Sequence, residues 1–277
     1  MSALVCFIVA AAPMKIGVTL HPYYSWTSQV TKGLPVELVA VVPGDVDIGS
    51  YQPRPRDVAT LTTLDVLVEN GLGHDAFLDE MVRAAGNQTL TRIRMNEGTP
   101  LLKTHAGTAP NSHTFLSMGN AALQSYTLAR ALAQLRPEWR PTLERNAAAF
   151  AKRLRAMRAS TVSALSTVKQ RRVITVHDGY AYLLQELGLE VAGVVEPAHG
   201  LLPSASELGD IVQLLKARQV SVVFSEETFP PAMAKVLEEA GASVVVVSHI
   251  ATGAFTPERF EVELQRNLDA IVQVMTR

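Results

Sequence analysis

The stretch "VVVVSHIATG", residues 244–253, sets four consecutive valines ahead of Ser248, His249 and a small-residue loop. Branched side chains suit a pleated surface, and an unbroken apolar run suits a parallel strand covered on both faces. The segment reads as a buried strand with a titratable, metal-ligating side chain where it runs out. The pattern recurs. "IGVTLH" ends in His21, "RRVITVH" ends in His177, and "LDVLVENGLGH" reaches His74 a few residues past its apolar run.

Working outward, apolar runs bounded by turn residues alternate with helical patterns, which predicts βα units and parallel sheets. In the first half, strands are expected at 15–20, 36–42 and 65–69, with helices over 24–33, 54–63 and 74–85. Residues 96–112, "NEGTPLLKTHAGTAPNS", are rich in Gly, Pro, Thr and Asn and read as a loop. "NAALQSYTLARALAQL" is a helix, punctuated by Pro137 and Pro141. Then "TLERNAAAFAKRLRAMRASTVSALSTVKQ" runs to residue 170 without Gly or Pro, rich in good helix formers. A helix over 141–170 would be a rod of roughly 40 Å, long enough to cross between two lobes. After it the alternation resumes, with strands at 172–176, 191–195, 220–225 and 243–247. Helices are expected there at 179–187, 204–218, 230–240 and 257–275. The expected fold is therefore α/β with two lobes, each a parallel sheet flanked by helices, joined by one long rigid helix. Its parts are a signal-like segment 1–13, an N-terminal metal-binding lobe 14–140, the linking helix 141–170 and a C-terminal metal-binding lobe 171–277. Ligands in open α/β sheets bind beyond the carboxyl ends of the strands, so facing lobes would put His74, His177 and His249 around one cleft.

Composition narrows the function. Hydrophobic content of 48% and charged content of 18% suit a globular chain with a sizeable core. A net charge of −1 with no block of like charges gives no electrostatic footprint for nucleic acid. The single cysteine, Cys6, excludes a disulfide framework and a thiolate metal site. "ALVCFIVAAAP", residues 3–13, is too short to span a bilayer, which takes about 20 residues. It reads as the apolar core of a secretory signal ending in an A-x-A site, although it lacks a basic n-region.

Neutral imidazole suits Zn²⁺ better than Mg²⁺ or Ca²⁺, and tetrahedral zinc takes four such groups, or three with a carboxylate or water. A lone histidine at a strand end is usually a hydrogen-bonded structural residue; several at equivalent strand ends argue as a group. There is no G-x-S-x-G elbow, no H-E-x-x-H helix and no Gly-rich phosphate loop. "FSEETF", residues 224–229, puts Glu226 and Glu227 at another strand end, where either can serve as a carboxylate ligand or as the acceptor of an imidazole N–H.

The order and spacing of several segments carry a resemblance. They are "VVPGDVDIGSYQPRPRDVATLTTLDVLVENGLG", "NSHTFLSMGNA", "VITVHDGYAYLLQELGLEVAGV", "PSASELGDIVQLLKARQVSVVFSEETF" and "GASVVVVSHIATG". Together, over about residues 14–275, the chain resembles the metal-specific solute-binding proteins of zinc and manganese ABC importers. The resemblance implies two lobes on a rigid helix, a metal buried between them and delivery to a membrane permease. It implies His113 as the second ligand, His177 as the third and His249 as the fourth, where relatives usually carry Asp. The family's first ligand is a histidine in a "DPHxYEP"-like stretch; here the matching "DIGSYQP" has Gly49 in its place.

His74 is the expected replacement, on the reasoning that the strand 65–69 lies beside the strand leading to Gly49, so that both loops open on one rim. His21 and His105 are the other candidates, and Asp75 is expected to cap the helix that follows. The expected function is extracytoplasmic, periplasmic capture of a transition-metal ion, Zn²⁺ first, by a monomer that does not span the membrane and that serves an ABC importer permease. The alternatives are Mn²⁺ or Fe²⁺ held with Glu226 or Asp178, a zinc-dependent hydrolase with Glu227 as base, or loss of metal binding through Gly49.

Overall fold

The structure is a computed structural model that describes residues 12–46, 48–107, 109–196 and 202–277. The body of the signal-like segment, with Cys6, lies outside the described residues.

In chain order the elements are β1 (Met14–Val18), α1 (His21–Val30), β2 (Val36–Ala40), α2 (Pro55–Leu61), β3 (Val66–Glu69), α3 (Leu78–Ala85) and β4 (Thr91–Arg94). Then come α4 (Met118–Leu135), α5 (Arg140–Ala164), β5 (Arg172–Thr175), α6 (Ala181–Glu186), β6 (Glu190–Val194), α7 (Ala205–Arg218), β7 (Val222–Ser225), α8 (Pro231–Glu239), β8 (Ser243–Val246) and α9 (Arg259–Met275). Each lobe holds a four-stranded parallel sheet, ordered β2-β1-β3-β4 in the first and β6-β5-β7-β8 in the second. The two sheets are wound alike, so each has its switch point between its first and third strands, where open α/β sheets bind ligands.

Three expectations are corrected. β3 does not lie beside β2: β1 sits between them, with Val18 paired to both Ala40 and Val68. The four valines do not form a strand covered on both faces. β8 is the sheet edge, and Val246 is 50% exposed; only Val247, just past the strand, is fully buried. The long helix stops at Ala164, short of residue 170, and Leu165 begins a turn there. Its last stretch, "ASTVSALSTV", is rich in Ser, Thr and Val, which hold a helix less well than the Ala, Leu and Arg before it.

α5 earns its length by packing. Leu143, Ala147, Phe150, Ala151 and Leu154 follow one face at helical spacing and are buried. On its polar side Arg153 pairs with Glu261 of α9 at 2.7 Å and bonds Gln29 of α1 at 2.9 Å. Arg158 pairs with Glu186 of α6 at 3.1 Å, so one helix is tied to both lobes. The core is continuous in the same sense. One apolar cluster runs from Ile16, Trp26 and Leu67 through α4 and α5 to Leu183, Phe260 and Leu264; a smaller one fills the far face of the second sheet around Ile174, Val223 and Leu237.

Candidate metal centre

Strand ends supply the site. His74 follows β3, His177 follows β5, Glu196 follows β6, Glu226 follows β7 and His249 follows β8. His113 comes from the loop ahead of α4, immediately before a 3-10 turn at Thr114–Leu116. The four rings gather at one point between the lobes. His113 lies 4.9 Å from His74, 4.8 Å from His177 and 5.7 Å from His249, centroid to centroid, and His177 lies 4.6 Å from His249. A cavity of about 210 Å³ opens beside them, lined also by Phe115, Glu196, Glu226, Glu227 and Ser248.

Each ring has an oxygen beside Nδ1, and two of the rings are held through it. The Asn111 carboxamide is oriented unambiguously, since its Nδ2 donates to Asp178 O at 2.7 Å and its Oδ1 accepts the His113 N–H at 2.9 Å. That same Oδ1 stands 3.0 Å from His113 Nδ1, which must therefore be the N–H of the ring. Glu196 Oε2 stands 3.2 Å from His177 Nδ1, and a carboxylate can only accept there. Glu226 Oε1 is 3.5 Å from His249 Nδ1, and Ser112 Oγ is 3.3 Å from His74 Nδ1. Imidazoles whose Nδ1–H is taken up by an oxygen acceptor, as in His113 and His177, are the usual ligands of a metal ion, which takes the other nitrogen.

Two of those other nitrogens stand together. His113 Nε2 and His177 Nε2 are 3.1 Å apart. With Zn–N bonds of 2.0–2.1 Å, two nitrogens at the corners of a tetrahedron stand about 3.3 Å apart. Two bare lone pairs at such a distance repel unless a cation, a proton or a metal ion, lies against both. Around this point three carboxylates offset the charge of a divalent cation.

Backbone features make the convergence possible. Gly179 has no side chain where one would collide: a Cβ would lie 2.8 Å from His249 Nε2, 2.9 Å from His177 Cδ2 and 3.1 Å from His113 Cδ2. Tyr180 packs its ring 4.4 Å from His249, and its hydroxyl donates to Val247 O at 2.5 Å. Burial pushes this phenol well above its ordinary pKa, which keeps it a donor. Ile250 takes φ 58°, a left-handed conformation that a β-branched residue adopts only when packing compels it, and its side chain is fully buried.

Of the sequence candidates, His74, His113, His177 and His249 come together, with Glu226. His177, Glu226 and His249 each offer a donor atom within 4.8 Å of the others. Glu227 lines the cavity. His21 does not join them; it opens α1 and points its Nε2 at Gly253 O, 2.7 Å away. His105 is exposed, and its backbone N–H donates to Asp178 Oδ2 at 2.6 Å. The Asp178 carboxylate is thus bonded to the 96–112 loop and is not among the residues that line the cavity, and burial raises its pKa. Asp75 caps nothing. Its carboxylate, also pushed up by burial, accepts Asn70 N at 2.8 Å and Thr19 Oγ1 at 3.0 Å and so pins the loop that carries His74. Gly49 lies exposed in a 3-10 turn at Ile48–Ser50.

Sequence reasoning missed Glu196, Asn111 and Gly179. Glu196 follows a strand like the others, and that position was the available signal.

The family described as "ZnuA: Zinc-uptake complex component A periplasmic" matches residues 16–274. The solute-binding protein FpvC of Pseudomonas aeruginosa is similar in structure. Its Ni²⁺ complex is 40% identical, covering 95% of this chain and 97% of that one with a TM-score of 0.88, and its Mn²⁺ complex is 41% identical at the same score. A "putative metal-binding protein" of Treponema pallidum is 28% identical over 79% of this chain and 74% of its own length. The iron-binding protein YfeA of Yersinia pestis is 26% identical over 72% of this chain, which spans 65% of that protein.

Proposed function

Because the chain belongs to the family of periplasmic zinc-uptake components, we propose that it captures Zn²⁺ between its lobes with His74, His113, His177 and His249 and delivers the ion to an ABC permease. The protein is a binding component of transport and not an enzyme, so Glu227 has no general-base role to fill. No helix among the described residues is long and apolar enough to cross a membrane.

The observation that carries the reading is the pair of imidazoles held through Nδ1, with two Nε2 atoms already 3.1 Å apart. A neutral nitrogen set favours zinc over manganese, which prefers oxygen. His74 fills the place that Gly49 leaves vacant, reaching in from the end of β3 two strands away from β2. The 28%-identical Treponema protein and FpvC, whose complexes hold Ni²⁺ and Mn²⁺, support a metal cargo without choosing this ion.

A second reading rests on Glu226. Its carboxylate oxygen lies within 4.8 Å of donor atoms on His177 and His249, and an ion that took it would have a harder ligand set suited to Mn²⁺ or Fe²⁺. Competition titrations with Zn²⁺, Mn²⁺ and Fe²⁺ on untagged, metal-stripped protein decide between the two. Zinc is expected at one equivalent, with a rise in melting temperature as free metal increases. His74→Ala is expected to weaken it by orders of magnitude. A thermal scan unmoved by saturating Zn²⁺ at pH 7.5 would dismiss the proposal, and full zinc affinity in His74→Ala would dismiss that ligand.

A further inference from the structure

His21 occupies the same place after β1 that His177 occupies after β5, yet it has a different partner. It is 1% exposed, its ring stacks on Phe255 at 3.9 Å and 7°, and its Nε2–H donates to Gly253 O at 2.7 Å. Its other nitrogen, Nδ1, is buried with no hydrogen-bond partner among the described residues. Two further polar residues follow on the same face of α1, one and two turns on. Ser25 Oγ donates to Thr256 O at 2.9 Å, and Gln29 Nε2 donates to Pro257 O at 3.4 Å. The spacing i, i+4, i+8 makes a stripe of donors along one helix of the first lobe, and the stripe binds the carbonyls of Gly253, Thr256 and Pro257 in a segment from the second.

That segment is the continuation of His249. From the metal-facing imidazole the chain passes through the left-handed Ile250 and reaches Gly253 four residues on. There the Gly253 N–H donates to Gly44 O at 2.6 Å, an approach so close that a Cβ on Gly44 would meet Gly253 O at 2.1 Å. Upstream, Asn267 grips both sides of Ser248, accepting its N–H at 2.8 Å and donating to its carbonyl at 2.7 Å. His249 is thus fixed before and after, and the downstream anchor belongs to the other lobe.

We infer that His21 is a positioning residue for the metal site: through Gly253 it holds the His249 loop in register with the imidazoles of the first lobe. The inference rests on the binding proposal above. It differs from a general structural role because it acts through one ligand out of four. Loss of His21 should behave as a partial loss of His249 and should leave His74, His113 and His177 as they are.

The test is a double-mutant cycle on the full chain, read by zinc affinity and by the d–d absorption of bound Co²⁺. His21→Ala is expected to weaken Zn²⁺ by about 10- to 100-fold, the usual cost of removing a group that orients a ligand. It is expected to change the Co²⁺ spectrum in the same direction as His249→Ala, and to add little on top of His249→Ala. In the background of His74→Ala its full effect should persist. His21→Gln, which restores a donor, should recover part of the affinity. If His21→Ala does not fold, Ser25→Ala, which removes the next donor of the stripe, takes its place with the same expectations. Unchanged affinity and Co²⁺ spectrum, or an effect that adds in full to His249→Ala, would overturn the inference. A parent protein that binds no zinc would instead overturn the binding proposal.

Discussion

Gly179→Ala places a single methyl group at the centre of the proposed metal site. The backbone permits it, since Gly179 is not among the positive-φ glycines. The new carbon would stand 2.8 Å from His249 Nε2, 2.9 Å from His177 Cδ2 and 3.1 Å from His113 Cδ2. Comfortable contact needs about 3.5–4.0 Å, so the rings must retreat by roughly 0.5–1 Å. Two of them are restrained, His113 by Asn111 at 3.0 Å and His177 by Glu196 at 3.2 Å. A metal site tolerates about 0.2 Å in its bond lengths, so at least one donor is lost to the ion. The expected weakening is at least about 100-fold, or ~2.8 kcal/mol. At free zinc near 100 times the parent's Kd, binding stabilises the parent by about 2.7 kcal/mol and the variant by only about 0.4 kcal/mol. At roughly 2 °C per kcal/mol for a chain of this length, the zinc-induced rise in Tm should be smaller by about 5 °C. Calorimetric titration and thermal melts, each with and without chelator, measure both quantities. A Kd within about threefold of the parent, with an equal thermal shift, would refute the convergence of these rings on one ion.

Other outcomes follow from the same geometry. Glu226→Gln keeps the shape of the side chain and removes its charge; zinc affinity should fall less than tenfold while Mn²⁺ affinity falls further, as competition titration would show, and a parallel loss of both would count against a separate oxygen-donor mode. Burial lowers the pKa of His21 below its ordinary 6.5, against the opposing pull of its bond to Gly253 O. The unfolded chain therefore takes up a proton at that residue before the folded one does. Stability is intact above about pH 6.5 and declines as the pH falls from there toward the lower folded value. The Tm of metal-free parent should fall across this window, and His21→Gln should show a shallower fall. Because α5 is tied to both lobes through Arg153 and Arg158, small-angle scattering should find nearly the same radius of gyration with and without zinc; a clear drop on binding would count against a stiff connector.

What could be read from the sequence depended on how each feature writes itself there. Buried strands in the middle of a sheet show as apolar runs, and β1, β3, β5 and β7 were legible for that reason. β4, "TRIR", was not. It is an edge strand whose Arg92 and Arg94 pair with the buried Glu69 at 2.6 and 3.1 Å, so its pattern is ionic and has no apolar signature. Strand order was likewise hidden, because no residue in β2 or β3 states that β1 lies between them. Histidines at strand ends announced themselves, but which of them face the cleft was not local information. His21 and His177 end similar strands, and only the packing of Phe255 and Gly253 against the first sends it elsewhere. Gly179 leaves no local mark in the sequence, because its importance lies in the space it leaves for His177 and for His113 and His249, more than sixty residues away on either side.

The contact between Gly44 and Gly253 bears on kinetics. Lobes joined by backbone at 2.6 Å, with no room for even a methyl group, have little freedom to gape about that line. A receptor that spends nearly all its time in the binding-competent shape shows its full intrinsic affinity, undiminished by a rarely visited closed state. The same contact should make spontaneous opening, and with it unassisted release of a bound ion, rare. With the ligands proposed above, residence time would be set by how seldom a ring swings off the ion, and rapid unloading would call for a partner that strains the loops carrying His74 and His249.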